Sequence, residues 1–282
     1  MMMNLVLQSL EGNHAALDKL ASMARCARVS VLSEHALRCE DVVVTEAQRM
    51  QIQDAALAAR IDATFIEGGR KLTDFKLLAM DMDSTVITIE CIDEIADMQG
   101  LKPQVAAITE AAMRGDLDFS SSLASRVALL KGLDAAALQR VYDERLQLSL
   151  GAERMLAAVK AAGLKTLLVS GGFTFFTDRL KQRLGLDYSH ANTLEIVDGK
   201  LTGRVLGTVV DAEEKKRTVE RICEQMGISA AHTIVMGDGA NDLKMMGSAG
   251  LSVAFRAKPV VRAQANVALN FVGLDGVLTL LD

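Results

Sequence analysis

Leu77-Leu78-Ala79-Met80-Asp81-Met82-Asp83-Ser84-Thr85 is a short apolar run that ends abruptly in two carboxylates one residue apart, followed by two hydroxyls. The run has the length and composition of a buried strand. In a parallel α/β sheet, ligands bind outside the carboxyl ends of the strands, so Asp81 and Asp83 would emerge into a site. Residues i and i+2 of an extended chain face one side, which lets both acids address one ligand. Two carboxylates that close repel unless a cation or a shared proton relieves them. A divalent metal, and different ionisation of the two acids, is the expectation. Standing alone, the same stretch would read as a strand running into an Asx turn; the segments downstream change that balance.

Lys165-Thr166-Leu167-Leu168-Val169 is a second strand-like run, ending at Ser170-Gly171-Gly172. Thr233-Ile234-Val235-Met236 is a third, ending at Gly237-Asp238-Gly239-Ala240-Asn241-Asp242. Strand ends of a parallel sheet lie along one edge, so all three segments can share a crevice. Ser170 offers a hydroxyl, and the glycines let backbone N–H groups approach phosphate oxygens. Asp238 and Asp242 add the hard oxygen ligands that Mg²⁺ prefers. Lys215, near the start of a helix over 215–226, adds a compact positive charge.

The rest of the chain supports an α/β enzyme with additions. Its 282 residues are enough for two domains, or for one with an inserted subdomain. Residues 1–75 read as a small α/β domain, with strands over Asn4–Leu10, Arg28–Leu32, Val42–Val44 and Ala63–Ile66. Helices are expected over His14–Arg25 and, capped by Thr45, over Thr45–Arg60. The 76–282 segment reads as the core. Asp93–Leu148 is almost wholly helical in texture, too long for a crossover helix, and reads as a cap inserted at about 91–149. Asp198-Gly199 marks a hairpin. His14, His35, His190 and His232 read as structural or surface residues, and Met245-Met246 as core.

Several function classes recede. No apolar run approaches the ~20 residues of a membrane span, and Met1-Met2-Met3-Asn4 does not open a secretory signal. The four cysteines are scattered, with no C-x-x-C pair, which fits a reducing, cytoplasmic setting. A net charge of −5, with no tryptophan and no basic stripe, argues against nucleic acid as a partner.

D-M-D-S-T, then S-G-G, a Lys, and G-D-G-A-N-D resemble the haloacid dehalogenase (HAD) superfamily, and within it the phosphoserine phosphatase family, over about residues 76–282. Glu90, nine residues after Asp81, and Arg126 in Ser125-Arg126-Val127 match that family's pattern. The resemblance implies a Rossmann-like three-layer core with a helical cap and Mg²⁺-dependent hydrolysis of O-phospho-L-serine, the last step of serine biosynthesis. Asp81 would be the nucleophile that forms an aspartyl-phosphate, and Asp83 the general acid and then base. Asp81, Asp238 and the backbone carbonyl of Asp83 would hold Mg²⁺. Ser170, Gly171 and Lys215 would hold the phosphoryl group, with Asn241 and Asp242 supporting phosphate and metal. Glu90 would bind the substrate ammonium and Arg126 its carboxylate, beneath Met113 and Phe119 of the cap.

The rival within the enzyme class is a relative that acts on another small phosphomonoester, or that transfers the phosphoryl group to an acceptor such as homoserine. The rival outside it is a ligand-sensing module, since residues 1–75 are similar to amino-acid-binding regulatory domains of the ACT type. A homodimer is a further expectation.

Overall fold

A computed structural model describes residues 3–113 and 116–281. The chain opens with β1 (Met3–Ser9), α1 (His14–Met23), β2 (Arg28–Ser33), β3 (Ala36–Glu40), α2 (Glu46–Ala58) and β4 (Ile61–Glu67). The strands form an antiparallel sheet in the order β2-β3-β1-β4. Thr45 caps α2 in a reciprocal capping box with Gln48, as its residue type anticipates. The third strand lies at Ala36–Glu40 rather than at Val42–Val44, where Val43 makes only an isolated bridge to Arg25. The hairpin before it turns through Glu34-His35 and lacks the Gly or Asn that advertises such a turn.

The period-2 alternation of these strands feeds two different cores. Leu5, Leu7, Ile61 and Phe65 pack with α1 and α2, whereas Val6 and Ile66 face away and join the core of the rest of the chain. Asp62 shares that second face and is 1 % exposed. Its carboxylate accepts the backbone N–H groups of Asn270, Phe271 and Val272 at 2.7, 3.0 and 3.0 Å. Charge-assisted bonds of this kind are the strong ones. Asp62→Ala would leave three backbone donors, one of them buried, without their partner, and a loss of about 3 kcal/mol in urea unfolding is expected. A change under 0.5 kcal/mol, the range of ordinary surface substitutions, would contradict the account of this joint.

The second sheet has seven strands: β5 (Leu77–Met80), β6 (Lys165–Phe173), β7 (Tyr188–Val197), β8 (Lys200–Leu206), β9 (Thr233–Gly237), β10 (Leu251–Phe255) and β11 (Val267–Leu269). Their order is β11-β10-β9-β5-β6-β7-β8, parallel except for the antiparallel hairpin strand β8. Asp198 (φ 49°) and Gly199 (φ 74°) close that hairpin in the left-handed conformation its turn requires. All four residues of β5 are fully buried, which is why a central parallel strand reads as an unbroken apolar run. Leu78 and Met80 face one layer, with α7 (Ala152–Ala161) and α8 (Thr174–Leu184). Leu77 and Ala79 face the other, with α9 (Ala212–Met226) and α10 (Leu243–Met246), where Met245 and Met246 are core residues. Short helices α11 (Pro259–Gln264) and α12 (Gly276–Leu280) complete the layers. This is an α/β core of three layers, with helices on both faces of a mostly parallel sheet.

The helical stretch between β5 and β6 is not one helix. It breaks into α3 (Cys91–Asp97), α4 (Lys102–Met113), α5 (Phe119–Ala128) and α6 (Ala136–Glu144). Its two connections run side by side, with Thr88 N–H to the Gln147 carbonyl at 3.0 Å and Ser149 N–H to that of Val86 at 2.9 Å. A second anchorage joins the α5–α6 turn to the hairpin: Gly132 and Leu201 N–H bond the carbonyls of Leu201 and Leu133, each at 2.8 Å.

Candidate active site

β9, β5 and β6 are neighbours at the centre of the second sheet, so their carboxyl ends converge at one edge. A cavity of about 750 Å³ opens there beneath α3, α4 and α5. Of the residues singled out in the sequence, Asp81, Asp83, Glu90, Phe119, Arg126, Ser170, Gly171, Asp238 and Asn241 line it. Lys215 and Asp242 lie behind its floor, both fully buried. The side chain of Met113 lies outside the described part of the structure. His190 and His232 do not line the cavity.

Lys215 organises the floor. It sits in the first turn of α9, which begins three residues earlier than the sequence suggested, at Ala212 behind the N-cap Asp211. Its Nζ contacts Asp81 Oδ1 and Asp242 Oδ1, each at 2.8 Å. Burial alone would lower its pKa, but Asp242 and Asp81 together raise it above the ordinary value. The second oxygen of Asp242 accepts the Gly239 N–H at 3.0 Å, and a Cβ at Gly237 would collide with this carboxylate at 2.4 Å. The glycine pattern of Gly237-Asp238-Gly239 is thus partly a demand for space.

Asp81, Asp238 and Asp242 each place a carboxylate oxygen within 4.8 Å of the others. Burial, then Asp242, push the Asp81 pKa well above the usual carboxylate range. Burial, then Asp242 and Glu90, push Asp238 to about 7. One lysine does not balance three such groups, and a hard divalent cation would. The donor set therefore fits a metal. The carboxylate of Asp83 is not in the cluster; it accepts the Cys91 N–H at 3.3 Å. Burial, then Glu90, raise its pKa to about 7, so it can hold or release a proton near neutrality.

After Asp81 the chain leaves the strand through the turn Met82–Val86, where Ser84 adopts φ 55°, uncommon for a residue with a side chain. This turn aims the Ser84 hydroxyl at Glu90 Oε1, 2.7 Å away. Across the cavity, α5 carries Phe119 at its first position and Arg126 two turns later. Burial lowers the Arg126 pKa against the opposing pull of Asp93 and Glu90. Gly171 is needed for close approach: a Cβ there would meet the Phe119 ring at 2.9 Å. At Gly172 it would meet Asp83 Oδ2 at 2.7 Å. The Ser170 hydroxyl accepts the Gly172 N–H at 2.8 Å.

Two contributors escaped the sequence. Asn192, 1 % exposed in β7, donates to the Gly171 carbonyl and accepts from the Val210 N–H, both at 2.8 Å. It fixes the peptide between Gly171 and Gly172, and a lone Asn in a strand gives no sign of that. Asp93 lines the cavity beside Arg126, and its pKa is raised by burial; it looked like one helical acid among several.

Carboxylates grouped on a buried lysine, at the carboxyl edge of a parallel sheet and under inserted helices, define an α/β enzyme built for phosphoryl chemistry at an aspartate. The haloacid dehalogenase-like hydrolase family matches residues 75–250, and the chain belongs to it. It is 59 % identical over 216 residues to a phosphoserine phosphatase from Polaromonas sp., covering 75 % of this chain and 92 % of that protein. A solved HAD-family hydrolase from Salmonella enterica serovar Typhi superposes with a TM-score of 0.88 at 34 % identity, over 100 % of this chain and 98 % of that one. A phospho-aspartyl intermediate analogue of phosphoserine phosphatase superposes with a TM-score of 0.69 at 39 % identity, over 74 % and 99 %.

Proposed function

We propose that this chain is a phosphoserine phosphatase that hydrolyses O-phospho-L-serine through an aspartyl-phosphate on Asp81, with Mg²⁺ as its metal. The observation that carries the reading is one cavity with two chemically distinct sides. Its floor holds Asp81 against Lys215, and its cap side offers Glu90 and Arg126, a carboxylate and a guanidinium. Those two charges match the ammonium and carboxylate of an amino acid, and a simple phosphate ester has no use for them.

In this mechanism the Asp81 carboxylate attacks phosphorus and the P–O bond to serine breaks, while Asp83 donates its proton to the departing oxygen. Asp83, now ionised, takes a proton from a water whose oxygen attacks the phosphorus of the aspartyl-phosphate. That step releases phosphate and restores both carboxyl groups. Splitting one displacement into two easier ones is what a carboxylate nucleophile supplies. Lys215 opposes the rise in the Asp81 pKa that burial and Asp242 cause, and so favours the anionic nucleophile, and it adds positive charge behind the transferring group. Ser170, the Gly171 backbone and Asn241 would bind the phosphoryl oxygens, and Phe119 would cover the substrate. Mg²⁺, held by Asp81, Asp238 and the carbonyl of Asp83, would supply Lewis-acid charge to the phosphoryl oxygens. Residues 76–282 form the catalytic domain in this reading, with 91–149 as its cap and 1–75 as a small appended domain. A cytoplasmic setting suits the four free cysteines.

The test is phosphate release from O-phospho-L-serine and from a panel of other small phosphomonoesters, with Mg²⁺ and with EDTA. Turnover that favours phosphoserine and falls to background with EDTA is expected. Equal turnover of esters that carry no amino-acid group would retain the Asp81 chemistry and remove the substrate.

A further inference from the structure

The cavity has a third cation that this mechanism leaves without a task. Lys258 lies between β10 and α11, on the side of the cavity formed by Asp238 and Asn241 and not on the cap side that holds Arg126. Its backbone N–H donates to the Asp238 carbonyl at 3.1 Å. Pro259 at the first position of α11 keeps the preceding residue extended, and Lys258 has φ −60° and ψ 150°. The position of this residue beside the floor is therefore fixed by its own backbone, while its side chain is exposed. Among the described residues its ammonium has no hydrogen bond or ion pair, although its charge bears on Asp238. The other two cations differ. Lys215 is fully buried between Asp81 and Asp242, and Arg126 is half-buried near Asp93 and Glu90.

A phosphomonoester is largely a dianion at neutral pH. The cavity it must enter is lined by Asp81, Asp83, Glu90, Asp93 and Asp238, a field that repels it. We propose that Lys258 is the specificity residue for the phosphate dianion: an exposed cation that meets the phosphate of the incoming ester, and the free phosphate that leaves, on the Asp238 side of the cavity. The inference rests on the phosphatase reading and extends it to a residue outside the motif set. Because the contact is to the phosphate, it should serve every phosphomonoester, unlike the Glu90–Arg126 pair, which serves only those with an amino-acid backbone.

The experiment compares wild type, Lys258→Met and Lys258→Arg on phosphoserine and p-nitrophenyl phosphate, at low and high ionic strength and over a range of Mg²⁺ up to saturation. It adds competitive inhibition by inorganic phosphate. For one charge against a dianion at partly solvated range, Lys258→Met should lower kcat/KM about tenfold on both substrates at low salt. The loss should fall mainly in KM. The gap should narrow as salt screens the wild-type attraction, the phosphate inhibition constant should rise in parallel, and Lys258→Arg should recover most of both. Unchanged salt dependence and phosphate inhibition in Lys258→Met would overturn the proposal. So would a defect that Lys258→Arg shares in full, or one abolished by raising Mg²⁺ alone, since these mark a backbone or metal-site role. Failure of wild type on phosphoserine would remove the substrate reading, and p-nitrophenyl phosphate and phosphate inhibition would still decide the case for Lys258.

Discussion

Replacing Asp81 with Asn should lower kcat on phosphoserine by at least about 10⁴-fold, the scale seen when a covalent nucleophile is removed. The amide keeps the shape of the side chain and loses the negative charge and the nucleophilic oxygen. It should not unfold the protein. Lys215 retains Asp242 as a partner at 2.8 Å, so no buried cation is left uncompensated, and the cluster of three acids becomes a pair. Thermal unfolding in EDTA should therefore be no lower than in wild type. Steady-state rates and a melting curve on the same preparation check both halves. A variant that folds and keeps more than one per cent of activity would mean that Asp81 is not the nucleophile.

Arg126→Ala should raise KM for phosphoserine by about a hundredfold, the scale of removing one partner from a largely desolvated charge pair. For p-nitrophenyl phosphate, which has no carboxylate to place, the change should be small. Arg126 is held by α5, with Nε 3.4 Å from the Ser122 carbonyl, and its charge is near those of Asp93 and Glu90. A guanidinium there can bind a carboxylate bidentately. Equal losses on both substrates would show that Arg126 supports the cap and not the amino-acid end of the ester. The same measurement separates the phosphoserine reading from a phosphatase of other small esters.

How far the residues alone disclosed this depends on where each one's signal resides. The ends of β5, β6 and β9 were legible because each is an apolar run that stops at Asp, Ser-Gly or Gly-Asp, and a parallel sheet brings such ends to one edge. That the three strands are adjacent was not legible; it follows from pairing between segments far apart in the chain, as in Met80 with Leu168 and Met236. β3 was displaced because its hairpin turns without Gly or Asn. The helical insertion was visible as texture, but its division into four short helices comes from packing. Asn192 and Lys258 act through a single side chain against a distant backbone or cavity, and no local spacing marks them. The two faces of β1 and β4 likewise explain why residues 1–75 had no motif of their own: Val6, Ile66 and Asp62 are committed to the rest of the chain. Serine binding by an isolated 1–75 fragment, the sensing alternative, would be measured on a piece with that face stripped of its partner.

The central claim is covalent: phosphorus passes from the serine oxygen to Asp81. Enzyme in excess over ³²P-labelled phosphoserine, with Mg²⁺, quenched in acid over milliseconds and digested, tests it most directly. A transient, hydroxylamine-sensitive label confined to the peptide bearing Asp81, and absent from Asp81→Asn, is the predicted result. Full turnover by wild type with no label at any quench time, or with label on another residue, would contradict it.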